Sequence, residues 1–437
     1  MSSPDGVRPM SPVLYGNLLA IVKDLVYGSD RIDRQSLVVL CGSRGSGKTT
    51  VLTYLASNLS DQGSEVVVLG PFDARRSTGD EYIHLIDDAV VSVSNDAARI
   101  VILLDNLDVL ARSLKAADLY TFEQEILIRL VQREDVTTIA TSQGPVTWRD
   151  WETRSRHQTL AIPYLSKAEV GQQAIEHEID PDNAFWLTLG HPQILQWLFA
   201  MPEMSESEIA AAAAAYFLEG LPVDTAESAT LMSLLPIFDV TVLRQAMPLA
   251  EDSMAEGFYA QYLDRVHSLI AAGILSWSAD TGGYQFLDRV VRCQLARSFR
   301  LRRPEDAYRI HIRAARYYQS EAVRAGVLHL FFVTVVYHLT FTAALVDTER
   351  PGKLLLTWIE ENVSRWVDAR WKDVVEAWGT GAGDWVVKEE LDRLLGVDDT
   401  AQITALLGTD GQTTTQSGGQ VTDIVYSADK IKEEAAL

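Results

Sequence analysis

Over the first third of the chain, short runs rich in β-branched and other apolar residues alternate with stretches whose apolar positions recur at helical spacing. The extended runs are Ser36–Cys41, Glu65–Leu69, Arg99–Leu104, Thr137–Ser142 and Gln158–Ile162. The second is read as ending at Gly70-Pro71, the third at Asp105 and the fifth before Pro163. Between them, helical periodicity marks residues 50–58, Tyr82–Ser94 and Tyr120–Arg133. A further amphipathic pattern, carried by Leu14, Leu18, Ile21, Val22 and Leu25, precedes the first strand. Strands that alternate with helices require parallel crossovers, so this part predicts an α/β fold with a parallel sheet.

From Ser166 the pattern becomes helical. Ser166 with Glu169, and Ser205 with Glu208, have the spacing of capping boxes, in which each serine and glutamate satisfies the other's backbone N–H. Pro222 marks a boundary. Helices are expected near Ala226–Leu235, Val240–Met247 and Ala255–Ala272, followed by a hairpin from Ile274–Ser278 and Tyr284–Leu287 around the turn-rich Ala279–Gly283. Three helices and a two-stranded wing form a winged-helix pattern. Residues 304–400 read as helical, with Trp358, Trp366, Trp371, Trp378 and Trp385 as a small helical core, and Gly408–Gly419 reads as a flexible linker. The domain division expected is 1–35 (N-terminal helix), 36–165 (P-loop domain), 166–225 (helical lid), 226–303 (winged helix), 304–405 (helical) and 406–437 (tail).

Charge changes this picture in one respect. A net charge of −22 opposes broad affinity for nucleic acid or anionic membrane. A locally basic stretch nevertheless runs through Arg289, Arg292, Arg297, Arg300, Arg302, Arg303, Arg309, Arg313 and Arg316, best read as a solvated or intersubunit face. Two cysteines, Cys41 and Cys293, provide neither a disulfide framework nor a zinc pattern, which fits a reducing cytoplasm. Residues 325–346 carry no charge and are long enough to span a bilayer. They include His329, His338, Tyr337 and three threonines, so a helix buried among neighbours is expected instead.

The chemistry centres on Gly42-Ser43-Arg44-Gly45-Ser46-Gly47-Lys48-Thr49, which fits G-x-x-x-x-G-K-[ST] between a strand and a helix beginning near Thr50. Such a turn aims backbone N–H groups and the positive end of a helix at one point, as a polyphosphate such as ATP or ADP requires. Lys48 would reach the β- and γ-phosphates, and the Thr49 hydroxyl would be a Mg²⁺ ligand. Asp105, ending an apolar strand, stands in the Walker B position as the second metal-side group. The next residue is Asn106 rather than glutamate, so hydrolysis is expected to be slow. Asp108 is placed either to orient an attacking water or to cap a helix. Thr141 or Ser142 could sense the γ-phosphate, or simply turn the strand end. Arg44 and Arg75 could contact phosphate or another subunit, although solvated arginines are the simpler reading.

These features together resemble the STAND class of P-loop NTPases, the signal-transduction ATPases that include NB-ARC proteins. The resemblance covers about residues 36–320 and rests on an ordered set of motifs: LLDNLDVL, ATSQGP followed by Trp148-Arg149 and Arg154, LTLGHPQIL, and a segment ending YQFLDRVVRCQLA. It implies sheet order 5-1-4-3-2, with lid and winged-helix domains closing over the nucleotide. It also implies that Pro192, in Gly190-His191-Pro192, packs near the base. Two positions depart from the class: Gln143 stands where an arginine is frequent, and Phe286-Leu287-Asp288 replaces Met-His-Asp. Asp288 would then lock the domain or cap the next helix. The resemblance further implies an ADP-bound resting monomer that opens and self-associates with ATP, and the C-terminal helical region would dock a protein partner. A winged-helix DNA-handling ATPase and a scaffold with structurally bound nucleotide are the alternatives.

Overall fold

The computed structural model describes residues 20–21, 36–60, 66–76, 79–93, 99–112, 120–247, 258–279, 281–325, 328–346, 351–363 and 371–409. The helix expected over 12–28 and the linker beyond 409 lie largely or wholly outside those residues. The chain divides into two compact units, Met1–Met204 and Ser205–Leu437.

The first unit is built on five parallel strands: β1 (Leu37–Cys41), β2 (Val66–Asp73), β3 (Arg99–Asp105), β4 (Val136–Ser142) and β5 (His157–Ala161). Their order is β2-β3-β4-β1-β5, the expected 5-1-4-3-2 sequence seen from the other edge. Leu37, Val38, Val39 and Leu40 of β1 are wholly buried, as a strand between two parallel neighbours with helices on both faces must be. α1 (Lys48–Ser60) and α2 (Gly79–Ser92) follow β1 and β2, and α3 (Asp108–Arg112) follows β3. The helix before β4 contains a π turn at Glu123–Leu127 and ends in α4 (Ile128–Val131). Buried Glu123 accepts hydrogen bonds from the Arg149 and Asp150 backbone, which anchors the loop leading to α5 (Trp151–Ser155). α6 (Lys167–Glu176), α7 (Pro181–Thr188) and α8 (Pro192–Ala200) complete the unit.

One strand boundary differs from expectation. β2 does not stop at Gly70-Pro71 but passes it through a bulge between Leu69 and Phe72 and resumes pairing, so that Asp73 lies level with Asp105. A bulge takes up the residues that cannot pair and lets the strand continue.

The second unit opens with α9 (Glu206–Leu218), so the division falls inside the 166–225 stretch read as one domain. Its Ile209, Ala210, Ala213 and Ala214 are buried, and the helix packs along α13 (Arg289–Arg302). Small side chains permit that close approach. Both predicted capping boxes form, at Ser166/Glu169 and at Ser205/Glu208. The helices α10 (Val223–Met232), α11 (Val240–Ala246) and α12 (Phe258–Ala271) precede an antiparallel hairpin, β6 (Leu275–Ser278) with β7 (Gly283–Phe286). This is the winged-helix arrangement. Asp288 caps α13, its Oδ1 accepting from the backbone of Val290 at 2.9 Å and Val291 at 3.1 Å.

Then come α14 (Pro304–Ala325), α15 (Leu328–Val346), α16 (Pro351–Val363), α17 (Trp371–Thr380) and α18 (Trp385–Thr409). The uncharged segment is α15, with Phe332, Val336, Tyr337 and His338 buried. Among the described residues, no helix is long and apolar enough to cross a membrane.

The basic stretch is not a solvated face throughout. Arg292 and Arg300 are buried around Glu390 of α18, with Arg292 Nη2 donating to Oε2 at 2.6 Å and Arg300 Nη2 to Oε1 at 2.8 Å. Arg292 also donates to the Tyr337 hydroxyl at 2.9 Å, and the Arg300 guanidinium lies 3.7 Å from the centre of the Phe341 ring. Buried Arg297 pairs with Glu206 at 3.3 Å. Burial alone would raise the Glu390 carboxyl, but the two guanidinium groups more than offset it and hold the group at about 2.

Candidate nucleotide site

β1 delivers the chain to the turn at residues 42–47, and α1 starts at Lys48. Gly45 (φ 78°) and Gly47 (φ 93°) occupy the left-handed region, where a side chain would be strained. At Gly42 a Cβ would come within 2.5 Å of Ser46 Oγ. The glycines are therefore required by the path of the loop. Lys48 curls over it, Nζ donating to the carbonyls of Gly42 at 2.9 Å and Ser43 at 2.8 Å. The Ser46 hydroxyl is buried without a hydrogen-bond partner among the described residues, a donor that a phosphate oxygen would satisfy. Thr50, in the first turn of α1, is exposed.

The groups expected on the metal side converge at the end of β3. Thr49 Oγ1 donates to Asp105 Oδ2 at 2.7 Å, and Thr141 Oγ1 donates to Oδ1 at 2.5 Å. Thr141 in turn accepts from the Asn106 backbone at 2.9 Å, and Asn106 adopts φ 58°. Thr141 is thus a positioning group for Asp105 in this arrangement, while the Ser142 hydroxyl turns to the Gly144 carbonyl at 2.5 Å. Asp108 Oδ1 accepts from the Gln143 backbone at 3.0 Å, bracing the turn after β3 against the turn after β4. Neither sequence reading of Asp108 included that bond.

Sequence reasoning missed Asp73, because Gly70-Pro71 reads as a strand terminus. Brought level with Asp105 by the bulge, Asp73 accepts from Asn106 Nδ2 at 3.0 Å and from Arg75, whose Nε lies at 3.2 Å. Burial pushes the Asp73 carboxyl up, but the hydrogen bonds from Arg75 and Asn106 prevail and hold it below the ordinary carboxylate range. Arg75 is therefore paired rather than merely solvated.

His191 was also missed, flanked by the more conspicuous Gly190 and Pro192. Gly190 is at φ 73°, and its carbonyl accepts from the Leu165 backbone at 3.0 Å. Pro192 is buried in the first turn of α8. Between them, fully buried His191 places Nε2 at 3.2 Å from Ser43 Oγ and 3.1 Å from the Arg44 carbonyl oxygen. The Tyr164 hydroxyl lies 2.8 Å from the same Ser43 Oγ. The phosphate loop is thus held from the side by the turn that starts α8.

A parallel sheet of this order, with a lysine-bearing glycine turn after β1 and a carboxylate at the end of β3, defines an α/β P-loop NTPase core. The donor set fits a magnesium nucleotide: Lys48 and the loop for phosphate, Thr49 and Asp105 for the ion. Residues 38–151 match the family model described as "ATPase family associated with various cellular activities (AAA)". No curated protein matches the sequence. Solved structures similar to the chain include the Aeropyrum pernix ORC2 protein in ADPNP–ADP complexes (15% identity, TM-score 0.39, 67% of this chain and 96% of that one). They also include the Aeropyrum pernix ORC1 protein in complex with DNA (15% identity, TM-score 0.32, 69% and 95%). AMPPCP-bound DnaA from Aquifex aeolicus is a third (13% identity, TM-score 0.28, 68% and 91%).

Proposed function

We propose that this chain is an ATP/ADP-binding signal-transduction switch of the STAND kind, whose nucleotide state controls opening and self-assembly or partner binding. The observation that carries the reading is the contact of His191 with Ser43 and Arg44. Through it, the helical segment after β5 is attached to the loop that would receive the phosphates. A ligand in that loop would act directly on the contact that holds the segment, and a population shift needs such a ligand-dependent contact.

Lys48 would bind the β- and γ-phosphates, and Thr49 and Asp105 would hold Mg²⁺, which supplies charge neutralisation when bound. Asp108 is the carboxylate assigned to the attacking water. Its bond to the Gln143 backbone supports slow turnover, since the base is already engaged. Pro192 is assigned to the nucleotide base, and the C-terminal helical region to a protein partner in the cytoplasm. A DNA-handling role has less support, because Arg292, Arg297 and Arg300 of the basic stretch are buried.

Calorimetry with Mg·ATP and Mg·ADP tests the site: heat is expected from the wild type and not from Lys48→Ala. The switch is tested separately by the mass of the protein with ADP and with a non-hydrolysable ATP analogue. Equal masses, with binding intact, would overturn the switch and leave the site.

A further inference from the structure

The second unit holds a cavity of ≈ 260 Å³ between α10, α11, α12, α13 and α14. Much of its lining is apolar, with Leu231, Met232, Leu243, Ala246, Met247 and Phe299 contributing. The lining also holds four arginines, Arg265 from α12, Arg303 at the end of α13, and Arg309 and Arg313 from α14. Asp306 is the single acidic residue in the lining, which leaves three formal positive charges in excess. Arg303 and Arg309 both pair with Asp306, at 2.7 Å and 3.7 Å. Arg265 and Arg313 have no ion pair among the described residues.

Such a lining is unlike the rest of the molecule. The chain carries a net charge of −22, so general repulsion of anions is its background, and the cavity is a local exception. A concave site with apolar walls and a few converging polar groups is the ordinary form of a small-molecule site. The pocket is open to solvent on its arginine-bearing rim, where Arg313 is exposed and Arg265 half-buried, and neither has an acidic partner among the described residues.

We propose that this cavity binds a small amphipathic anion, a carboxylate with a compact apolar body, with the carboxylate on Arg265 and Arg313. Arginine suits that head group because its planar fork donates two parallel hydrogen bonds to a carboxylate. The apolar body would cover Leu243, Ala246 and Met247, and its burial supplies the remaining affinity. Tyr262 also lines the cavity, but its hydroxyl donates to the Met247 carbonyl at 2.7 Å, so it shapes the wall instead of adding a head-group contact. The proposal does not depend on nucleotide binding in the first unit.

Titration calorimetry of the full chain with octanoate, octanol, acetate and inorganic phosphate tests this directly. Octanoate is expected to bind one per chain, and octanol and acetate each about tenfold or more weaker, since one lacks the charge and the other the apolar body. Arg265→Ala/Arg313→Ala should weaken octanoate by about tenfold or more, and with Arg313 exposed, Arg265 half-buried and neither ion-paired among the described residues, the melting curve of the unliganded variant should stay close to the wild type. Absence of octanoate binding would overturn the proposal. So would binding that the double variant leaves unchanged, or phosphate binding as tight as octanoate.

Discussion

Replacing Glu390 with glutamine removes the carboxylate that is ion-paired with both Arg292 and Arg300, leaving only the more distant charge of Asp384 acting on Arg292. Glu390 is wholly buried, and Arg292 and Arg300 are nearly so. Lowering a carboxyl from its ordinary 4.5 to about 2 corresponds to about 3 kcal/mol of stability at neutral pH. Breaking a buried pair by removing one partner typically costs about 3–5 kcal/mol, because the remaining charge stays desolvated. For a unit of roughly 200 residues each kcal/mol moves the thermal midpoint by about 2–4 °C, so Glu390→Gln should lower it by about 6–20 °C.

Urea denaturation and scanning calorimetry of wild type and variant measure this. The sign of the pH effect follows from the depressed carboxyl. Its contribution is complete above about pH 4.5 and is lost as the pH falls towards about 2, so the two proteins should converge across that window. Arg292→Met/Arg300→Met/Glu390→Leu separates charge from packing and should regain most of the loss, as buried ion pairs replaced by apolar residues often do. A loss below about 1 kcal/mol in Glu390→Gln would refute the reasoning. A triple variant as unstable as the single one would show that packing, not charge, sets the cost.

Other outcomes follow from the nucleotide site. Thr141→Ala should leave Asp105 Oδ1 and the Asn106 N–H without their partner, costing about 1–3 kcal/mol and weakening Mg·ATP binding, whereas Thr141→Ser should retain most of both; stability curves and calorimetry check it. His191→Phe keeps a ring but loses the bonds to Ser43 and Arg44, so ADP and ATP affinities should both change while Lys48 remains functional; unchanged affinities would detach α8 from the loop. At Gly190 an added Cβ would lie 2.0 Å from the Leu165 carbonyl oxygen at φ 73°, so Gly190→Ala should destabilise by more than about 1 kcal/mol in the same denaturation assay.

What could be read from the residues alone follows from how local the signal was. The turn at 42–49 and the strand ending at Asp105 are contiguous patterns, and so are the two capping boxes and the wing hairpin. Asp73 escaped because its placement depends on a bulge that pairs β2 with β3 beyond Gly70-Pro71, information held by the neighbouring strand. Glu390 escaped for a similar reason: it meets Arg292 across 98 residues of sequence, and a run of arginines counted by itself looks like a solvated face. His191 carried a faint signal, a titratable side chain inside a Gly–Pro turn. What hid it was that its partner is backbone and hydroxyl rather than a charge.

The ends of β3 and β4 are tied by two cross-braces, Thr141 to Asp105 and Asp108 to the Gln143 amide. Two struts between the same pair of turns leave no hinge, so the 105–108 and 141–143 segments travel as one stiff bracket. A shift of the Asp105 carboxylate is therefore expected to be felt at Gln143, which is half-buried.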